Sequence, residues 1–447
     1  AAFIPSYAAE KLKSKKKSKI FADDVFVLLL LILLIIVFLA EIFTPFLVFI
    51  IAPGFFEDTE KFSLAVEFSR ITFPFLLFVS LSSFFSGILN SNNKFAASAA
   101  APIILNIILI FVLFISYLYE LNFAKQLSYG VSLAGIFQLI FLIILTNKYY
   151  RPSLKLKIHI SKKVKFFLRK LLPSIFSSGV TQINIFIGTI VASFQTGAVS
   201  YLYYADRVYQ INLAIAGIAV GTVSLPVLTK ALKEKKIKQI FKIQNKSLEL
   251  SLLLSLPASL GIIIAHEQII SALFGYGSFT KEDIFMTSEA LKYFGYGIPA
   301  FALIKVLSNF FFARDDTKKP FFLSLFIVFI NVVISLSFFK QIGFIIIPIA
   351  TSFSTWIGVI FYIILLNTKK FLMIKNYLFK NFLKIIFATF IMTLILIFCL
   401  DYLKEHLIYS NQLKSVYLLL IVSFVAIIYL ITCYLLGVLK IKNYKTN

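Results

Sequence analysis

The sequence predicts an all-α protein, a bundle of helices that crosses a membrane many times. Hydrophobic residues occupy 60% of the 447 positions and charged residues only 14%, and the mean hydropathy is +0.93. Apolar stretches long enough to cross a hydrocarbon layer of ~30 Å recur along the whole chain. This composition lies far outside the average of soluble domains, so it indicates a polytopic membrane helix bundle.

About twelve transmembrane helices are expected, separated by turn and cap signals such as Ala52-Pro53-Gly54 and Asp315-Asp316-Thr317. The segments between them are too short to hold a soluble domain. The predicted spans are 24–51, 64–90, 95–118, 127–149, 166–194, 199–229, 243–273, 286–313, 320–339, 343–366, 379–400 and 414–437.

The basic residues are distributed unequally between the two sides of this predicted bundle. Under strict alternation, 34 of the 44 Lys and Arg residues fall on one side, 7 on the other, and Arg70, Arg207 and Lys305 lie within spans. Positively charged loops stay cytoplasmic, so the C-terminus is predicted to be cytoplasmic. The net charge of +24 is therefore attributed to membrane orientation and to contact with membrane lipids, not to nucleic acid.

The chain also contains a repeat at a spacing of 225 residues. Because an even number of spans separates the two copies, we expect parallel repeats with the same orientation. Shifting residues 66–111 by this spacing aligns Pro74 with Pro299, Ser83 with Ser308, Phe85 with Phe310, Lys94 with Lys319 and Asn106 with Asn331.

The second copy is preceded by residues 163–223, which have no counterpart before the first copy. We therefore expect two six-helix repeats and two further helices, with about two N-terminal helices of the first repeat missing. The predicted domains are an incomplete N-terminal lobe at 1–151, a C-terminal lobe at 152–371 and two extra helices within 372–447.

Two ionisable residues, Asp206 and Arg207, lie inside the apolar helix predicted at 199–229. A charge at this depth costs at least ~2.5–3.5 kcal/mol and usually faces a partner or a watered cavity. Adjacent residues are separated by ~100° on a helix, so the two groups should meet different neighbours. Either a binding site or a buried pair that locks helix packing accounts for them.

The sequence contains no recognisable catalytic or metal-binding constellation. Cys399 and Cys433 lie in apolar runs, and His159, His266 and His406 are scattered without ligand spacing. A membrane-embedded transferase should show paired carboxylates or a His/Asp cluster. We therefore predict that the protein is not an enzyme and that it has no cofactor, catalytic residue or metal site.

Several motifs together carry a family resemblance. They are Tyr203-Tyr204-Ala205-Asp206-Arg207 with Ser200 before it, Ala52-Pro53-Gly54-Phe55, Ile71-Thr72-Phe73-Pro74, Ala101-Pro102-Ile103-Ile104-Leu105-Asn106, and Pro299-Ala300-Phe301 leading to Lys305-Val306-Leu307. In this setting they resemble the MurJ (MviN) family of bacterial lipid II flippases. That family belongs to the multidrug/oligosaccharidyl-lipid/polysaccharide exporter superfamily.

The resemblance implies two six-helix lobes, two further helices and a place in the bacterial cytoplasmic membrane. It implies alternating-access transport of lipid II, which is undecaprenyl-pyrophosphoryl-MurNAc-pentapeptide-GlcNAc, with cell-wall synthesis proteins as further partners. By motif match, Arg207 is expected to be a substrate-cavity arginine, with Asp206 and Ser200 as its functional neighbours. A polysaccharide or drug exporter of the same superfamily and a non-catalytic scaffold for cell-wall synthesis are the alternatives.

Two polar residues on the preceding helix are weaker substrate-binding candidates. Gln182 and Asn184 can offer hydrogen bonds to sugar or peptide, although polar side chains in membrane bundles also link helices. Some members of the family have an acidic residue where this chain has Gly188 and Ser335. A sodium site like theirs is therefore not expected here.

Overall fold

The structure, a computed structural model, describes residues 3–153, 164–165 and 182–439. These residues form helices and connecting turns without a β-strand, which confirms the all-α prediction. The chain divides into two compact units, Ala1–Gly179 and Val180–Asn447.

The described residues of the first unit form seven α-helices, and local sequence explains where several of them start. Side chains of Ser14, Asp58 and Asn122 accept hydrogen bonds from backbone N–H groups three residues ahead and so cap the helices that follow them. Pro74 starts a new helix and thereby divides the predicted span 64–90. The helices are α1 (Phe3–Lys13), α2 (Lys15–Ile42), α3 (Thr44–Ile51), α4 (Thr59–Thr72), α5 (Pro74–Asn90), α6 (Phe95–Leu118) and α7 (Phe123–Thr146).

An aromatic cluster and one carboxylate tie α2 to the segment after α7. The rings of Phe84 and Phe85 on α5 pack against Phe26 and Tyr150. The Tyr150 hydroxyl donates to Asp23 Oδ1 at 2.7 Å, and the Ser153 backbone N–H donates to the same oxygen at 3.1 Å. Burial and then this hydrogen bond raise the pKa of Tyr150, so the phenol remains a neutral donor.

In the second unit the described residues form α8 (Gln182–Ala192) and eight α-helices after it. A π-helical segment, Ala214–Ala219, joins the first of these eight helices to the second. They are α9 (Ala198–Leu213), α10 (Val220–Lys233), α11 (Ile237–Phe274), α12 (Lys281–Phe312), α13 (Lys318–Ile342), α14 (Ile346–Thr368), α15 (Asn376–Tyr402) and α16 (Lys414–Leu435).

Ten stretches of the described residues are long and apolar enough to cross a membrane. One of them, Lys318–Thr368, contains both α13 and α14, which turn back on each other at Gly343 with a φ of +75°. These two helices correspond to the predicted spans 320–339 and 343–366. The predicted span 166–194 lies mostly outside the described residues, which include only its end.

Small residues bring α11 and α14 close to α12, the most buried of the ten stretches. The Ser259 hydroxyl on α11 donates to the Gly295 carbonyl at 2.8 Å, and the Ser352 hydroxyl on α14 donates to the Tyr293 carbonyl at 2.6 Å. Apolar surface alone does not favour helix association over lipid contact, so close backbone approach and these bonds hold the helices together.

The linker between α14 and α15 is fastened by polar side chains from α11. Gln244 donates to the Phe371 carbonyl at 3.0 Å, while Asn245 donates to the Met373 carbonyl at 2.8 Å and accepts from the Lys375 N–H at 2.9 Å. These bonds satisfy backbone groups that regular helix does not satisfy. They position the two last helices against α11.

At the other end of α11, one buried lysine holds α16 in place. Lys414 is 1% exposed, and its ammonium donates to the carbonyls of Gly275 at 2.6 Å and Tyr409 at 2.7 Å. It also lies 4.3 Å from the ring centroid of Tyr276 and 4.7 Å from that of Tyr409. A cation at a helix C-terminus compensates the partial negative charge of the last carbonyls.

The repeated residues occupy comparable positions in the two units. Lys94 directly precedes α6 and Lys319 is the second residue of α13, while Asn106 and Asn331 lie within those two helices. Superposition of the two copies and the lobe boundaries at 151 and 371 stay predictions.

We predict that Gly297→Ala destabilises the helix packing around α12. A Cβ at this position would lie 2.6 Å from Ser352 Oγ and 3.2 Å from Ser352 Cα, and overpacking of this kind costs about 1–3 kcal/mol. The matched control is Gly261→Ala on α11, where a Cβ would meet nothing within 4 Å. Thermal unfolding of the detergent-purified variants should show a lower midpoint for Gly297→Ala only. Equal midpoints would contradict the close approach of α12 and α14.

Candidate functional site

The start of α9 is held by contacts with α12 and with the turn between α13 and α14. Gly197, with a φ of +75°, precedes α9, and a Cβ there would lie 2.6 Å from the ring of Tyr201. The Tyr201 hydroxyl donates to Asp283 Oδ1 at 3.0 Å, and the Phe344 N–H donates to Gln195 Oε1 at 2.8 Å. These contacts set the direction in which α9 leaves the preceding turn.

Aromatic packing sets the rotation of α9 about its own axis. The ring of Tyr209 lies 5.3 Å from that of Phe294 and 5.2 Å from that of Phe301, both on α12. Tyr204 packs against Phe274 at 4.8 Å between ring centroids. The side of α9 that carries Ala198, Ala205, Val208 and Tyr209 is buried, so the other side is presented outward.

That outward side carries four polar residues in one row, Ser200, Tyr203, Arg207 and Gln210, all of them exposed. Their spacing of three, four and three residues places them on a single helix face. We refer to these four residues as the polar stripe. The structure thus brings two predicted site residues, Ser200 and Arg207, onto the same surface.

Arg207 is held by a tyrosine one turn earlier on the same helix. Its Nη2 donates to the Tyr203 hydroxyl at 2.9 Å, and its guanidinium carbon lies 4.6 Å from the centroid of the Tyr203 ring. Within the described ranges, Arg207 forms no ion pair with a carboxylate. Arginine has five N–H donors, so the guanidinium keeps donors for a ligand.

Asp206 has a different partner, as its position on the helix predicts. It is partly buried, and its Oδ2 accepts a hydrogen bond from the Gln210 side chain. The expectation that Asp206 and Arg207 contact different neighbours is confirmed. Among the described residues, the hydrogen bond and the ring contact of Arg207 are both with Tyr203 of the same helix.

The two weaker candidates on α8 differ in their surroundings. Asn184 Oδ1 accepts from Asn331 Nδ2 at 2.6 Å, and Asn331 also donates to Thr351 Oγ1 at 3.0 Å and accepts from the Ser335 hydroxyl at 3.0 Å. This uncharged network joins α8, α13 and α14. Asn184 therefore links helices in this structure, whereas Gln182 is exposed.

Among the residues that the structure describes, no group of three or more His, Cys, Asp or Glu side chains could hold a metal ion.

The other two basic residues predicted within spans, Arg70 and Lys305, lie on helices other than α9, which carries the polar stripe. Arg70 is exposed on α4 of the first unit, near enough to Glu41 for an electrostatic interaction. Lys305 is exposed on α12 and lies beside Gly217 of the π-helical segment.

Sequence reasoning did not identify Tyr203 and Gln210 as partners of the two charged residues. Both were detectable in principle, because each lies four residues from its partner and such pairs share a helix face. What could not be read from spacing was which face of α9 is exposed.

Comparison with known proteins supports the resemblance over most of the chain. A family model described as Lipid II flippase MurJ matches residues 1–418. A Rickettsia prowazekii (strain Madrid E) protein named Probable lipid II flippase MurJ is 41% identical over 358 residues, covering 79% of this chain and 70% of the relative. A Rhizobium tropici protein of the same name is 37% identical over 366 residues, covering 80% and 68%.

Solved structures agree with this assignment. A structure of lipid II flippase MurJ in an inward closed conformation matches with a TM-score of 0.78 and 27% identity, covering 97% of this chain and 86% of that chain. An inward-facing multidrug resistance transporter of the MATE family matches with a TM-score of 0.69 and 14% identity, covering 82% and 86%. At that identity the second likeness shows the fold alone.

The sequence and structure comparisons agree with each other and with the ten candidate membrane spans. They confirm the predictions of a transporter, not an enzyme, and of a multi-pass inner-membrane protein. The chain belongs to the MurJ family of lipid II flippases.

Proposed function

We propose that this protein moves lipid II from the cytoplasmic to the outer leaflet of the inner membrane by alternating access, and that Arg207 binds the pyrophosphate. The observation that carries the proposal is an exposed guanidinium within a candidate membrane span, held by Tyr203 and without an ion-paired carboxylate in the part of the chain that the structure describes. An unpaired charge at that depth is costly unless a ligand or water solvates it. An anionic lipid headgroup is a ligand of the required sign.

The polar stripe suits a phosphorylated sugar lipid in three ways. The planar guanidinium of Arg207 can hold two oxygens through parallel hydrogen bonds. Ser200 and Gln210 provide neutral hydrogen-bonding groups on the same face for phosphate, sugar or peptide. The Asp206 carboxylate accepts a hydrogen bond from Gln210, so among the described residues it does not take up the N–H donors of the Arg207 guanidinium.

We also propose that the C-terminus is cytoplasmic and that the lobes are 1–151 and 152–371, followed by two helices within 372–447. The excess of Lys and Arg in alternate loops supports the orientation. The repeat and the family's arrangement support the lobes. Gln182 and Asn184 stay weaker candidates for substrate contact. The side-chain oxygen of Asn184 already accepts a hydrogen bond from Asn331.

The substitution Arg207→Lys should remove most lipid II transport although the charge is kept. A lysine cannot form the two-point contact, and hydrogen bonds to charged groups are worth about 1.5–3 kcal/mol, so transport should fall by roughly 10–100-fold. Arg207→Ala should abolish it. The assay is growth, and lipid II exposure at the cell surface, in bacteria that are depleted of their own flippase and express this protein from its natural gene.

The matched control for this experiment is Arg70→Lys, which changes an exposed intramembrane arginine on α4 outside the proposed site. It should support growth as the wild type does. If both Arg207 variants complement fully at normal protein levels, Arg207 does not bind the substrate.

Tyr203→Phe should weaken transport less than Arg207→Lys does. The phenylalanine ring keeps the contact with the guanidinium face but loses the hydroxyl that accepts from Arg207, so Arg207 is less well oriented. Tyr204→Phe is the control, because Tyr204 contacts Phe274 and Phe279 through its ring. Initial flipping rates in proteoliposomes should be roughly two- to tenfold lower for Tyr203→Phe, which corresponds to the net value of one hydrogen bond, ~0.5–1.5 kcal/mol. Equal rates for the two variants would remove Tyr203 from the site.

An inside-negative membrane potential should accelerate transport. The pyrophosphate carries roughly two negative charges, and moving them outward across 100 mV releases about 4–5 kcal/mol, at ~2.3 kcal/mol per charge. The same potential favours inward return of an empty, positively charged site. Proteoliposomes with an imposed potassium diffusion potential should flip lipid II faster than those at zero potential. Identical rates would contradict charge-driven transport.

A further inference from the structure

A second, chemically different surface lies between α10 and α11. It is a groove of about 920 Å³ whose lining includes Ile215, Val223 and Val227 on one wall and Leu250 and Leu254 on the other. None of the four polar-stripe residues lines it. The groove is therefore distinct from the proposed pyrophosphate site, although Ile215 belongs to the π-helical segment that continues α9.

One end of the groove is strongly basic. Lys238, Lys242 and Lys246 line it at intervals of four residues, which places all three ammonium groups along one face of α11. Lys246 is paired with the buried carboxylate of Glu249 at 2.6 Å. Lys238 and Lys242 are exposed and have no ion-pair partner among the residues described.

The groove has the height of one membrane leaflet. From Lys238 to Leu254, α11 rises by about 24 Å at 1.5 Å per residue. Half of a bilayer measures about 20–22 Å when the headgroup region is included, of which about 15 Å is hydrocarbon. When Lys238 and Lys242 lie at headgroup depth, the walls formed by Leu250 and Leu254 lie along the acyl chains.

We propose that this groove binds one anionic phospholipid of the cytoplasmic leaflet. Its phosphate contacts Lys238 and Lys242, and an acyl chain packs along Val223, Val227 and Leu250. A soluble anion would leave the apolar walls exposed, and an uncharged lipid would leave the two lysines unpaired. The choice of leaflet follows from the orientation proposed above, whereas lipid II transport is not assumed.

The bound lipid also has a consequence for α9. Its acyl chain contacts Ile215 inside the π-helical segment, and π-helical turns are local irregularities that often accompany functional sites. Occupancy of the groove therefore restrains the segment through which α9, with Arg207, is connected to α10.

The test measures binding of phosphatidylglycerol to the purified protein by native mass spectrometry, with phosphatidylcholine as the uncharged reference. The variant Lys238→Gln/Lys242→Gln should bind phosphatidylglycerol about 30-fold more weakly, which corresponds to about 1 kcal/mol for each lysine. Its binding of phosphatidylcholine should not change. The matched control is Lys369→Gln/Lys380→Gln, two exposed lysines on the side predicted to be cytoplasmic but outside the groove, and it should bind as the wild type does.

A second variant tests the apolar walls while leaving the lysines intact. Val223→Trp should fill the groove and reduce phosphatidylglycerol binding, whereas Val333→Trp, at an exposed position on α13, should not. Unchanged thermal unfolding midpoints in all variants show that the loss is local.

Three results would overturn the proposal. The first is equal affinity of the wild type for the two phospholipids. The second is retention of phosphatidylglycerol by the groove variants. The third is displacement of phosphatidylglycerol by undecaprenyl pyrophosphate at lower concentration, because the groove would then belong to the transported lipid.

Discussion

The second unit depends on one physical constraint, which is that an arginine inside an apolar helix must be oriented although it forms no ion pair with a carboxylate among the residues described. The protein meets this constraint locally. Tyr203, one turn before Arg207, provides both a hydroxyl acceptor and a ring face, so the guanidinium is oriented without losing its charge. A buried Arg–Asp pair would instead cancel the positive charge on this face of α9.

Rigid packing on the opposite face of α9 makes this arrangement specific. The tyrosines of the region have separate roles, since Tyr201 bonds to Asp283 and Tyr209 packs between Phe294 and Phe301 on α12. These contacts prevent α9 from rotating Arg207 toward the apolar interior. The chain thus uses aromatic side chains both to anchor a helix and to support its charged residue.

The polar groups elsewhere in the second unit follow the rule that buried hydrogen-bonding groups need partners. Asn331 links Asn184 and Thr351 across three helices, and Lys414 satisfies the carbonyl of Gly275 at the end of α11. In an apolar environment such bonds add directional contacts that lipid-like side chains cannot supply. The same principle distinguishes Lys238 and Lys242, which have no ion-pair partner in the described ranges and lie exposed, where a phosphate can reach them.

The sequence by itself determined the helical class, the positions of most candidate spans and the place of Arg207 within one of them, because hydrophobic length and charge are properties of the linear chain. It also indicated that Asp206 and Arg207 point in different directions, since helix geometry alone requires it. Only the tertiary structure decided which face of α9 is exposed, because that depends on Tyr209 meeting Phe294 and Phe301 from a distant helix. The role of Asn184 could not be decided from sequence either, because an asparagine that binds a ligand and an asparagine that links two helices look the same there. The structure places Asn331 beside it, so Asn184 links helices.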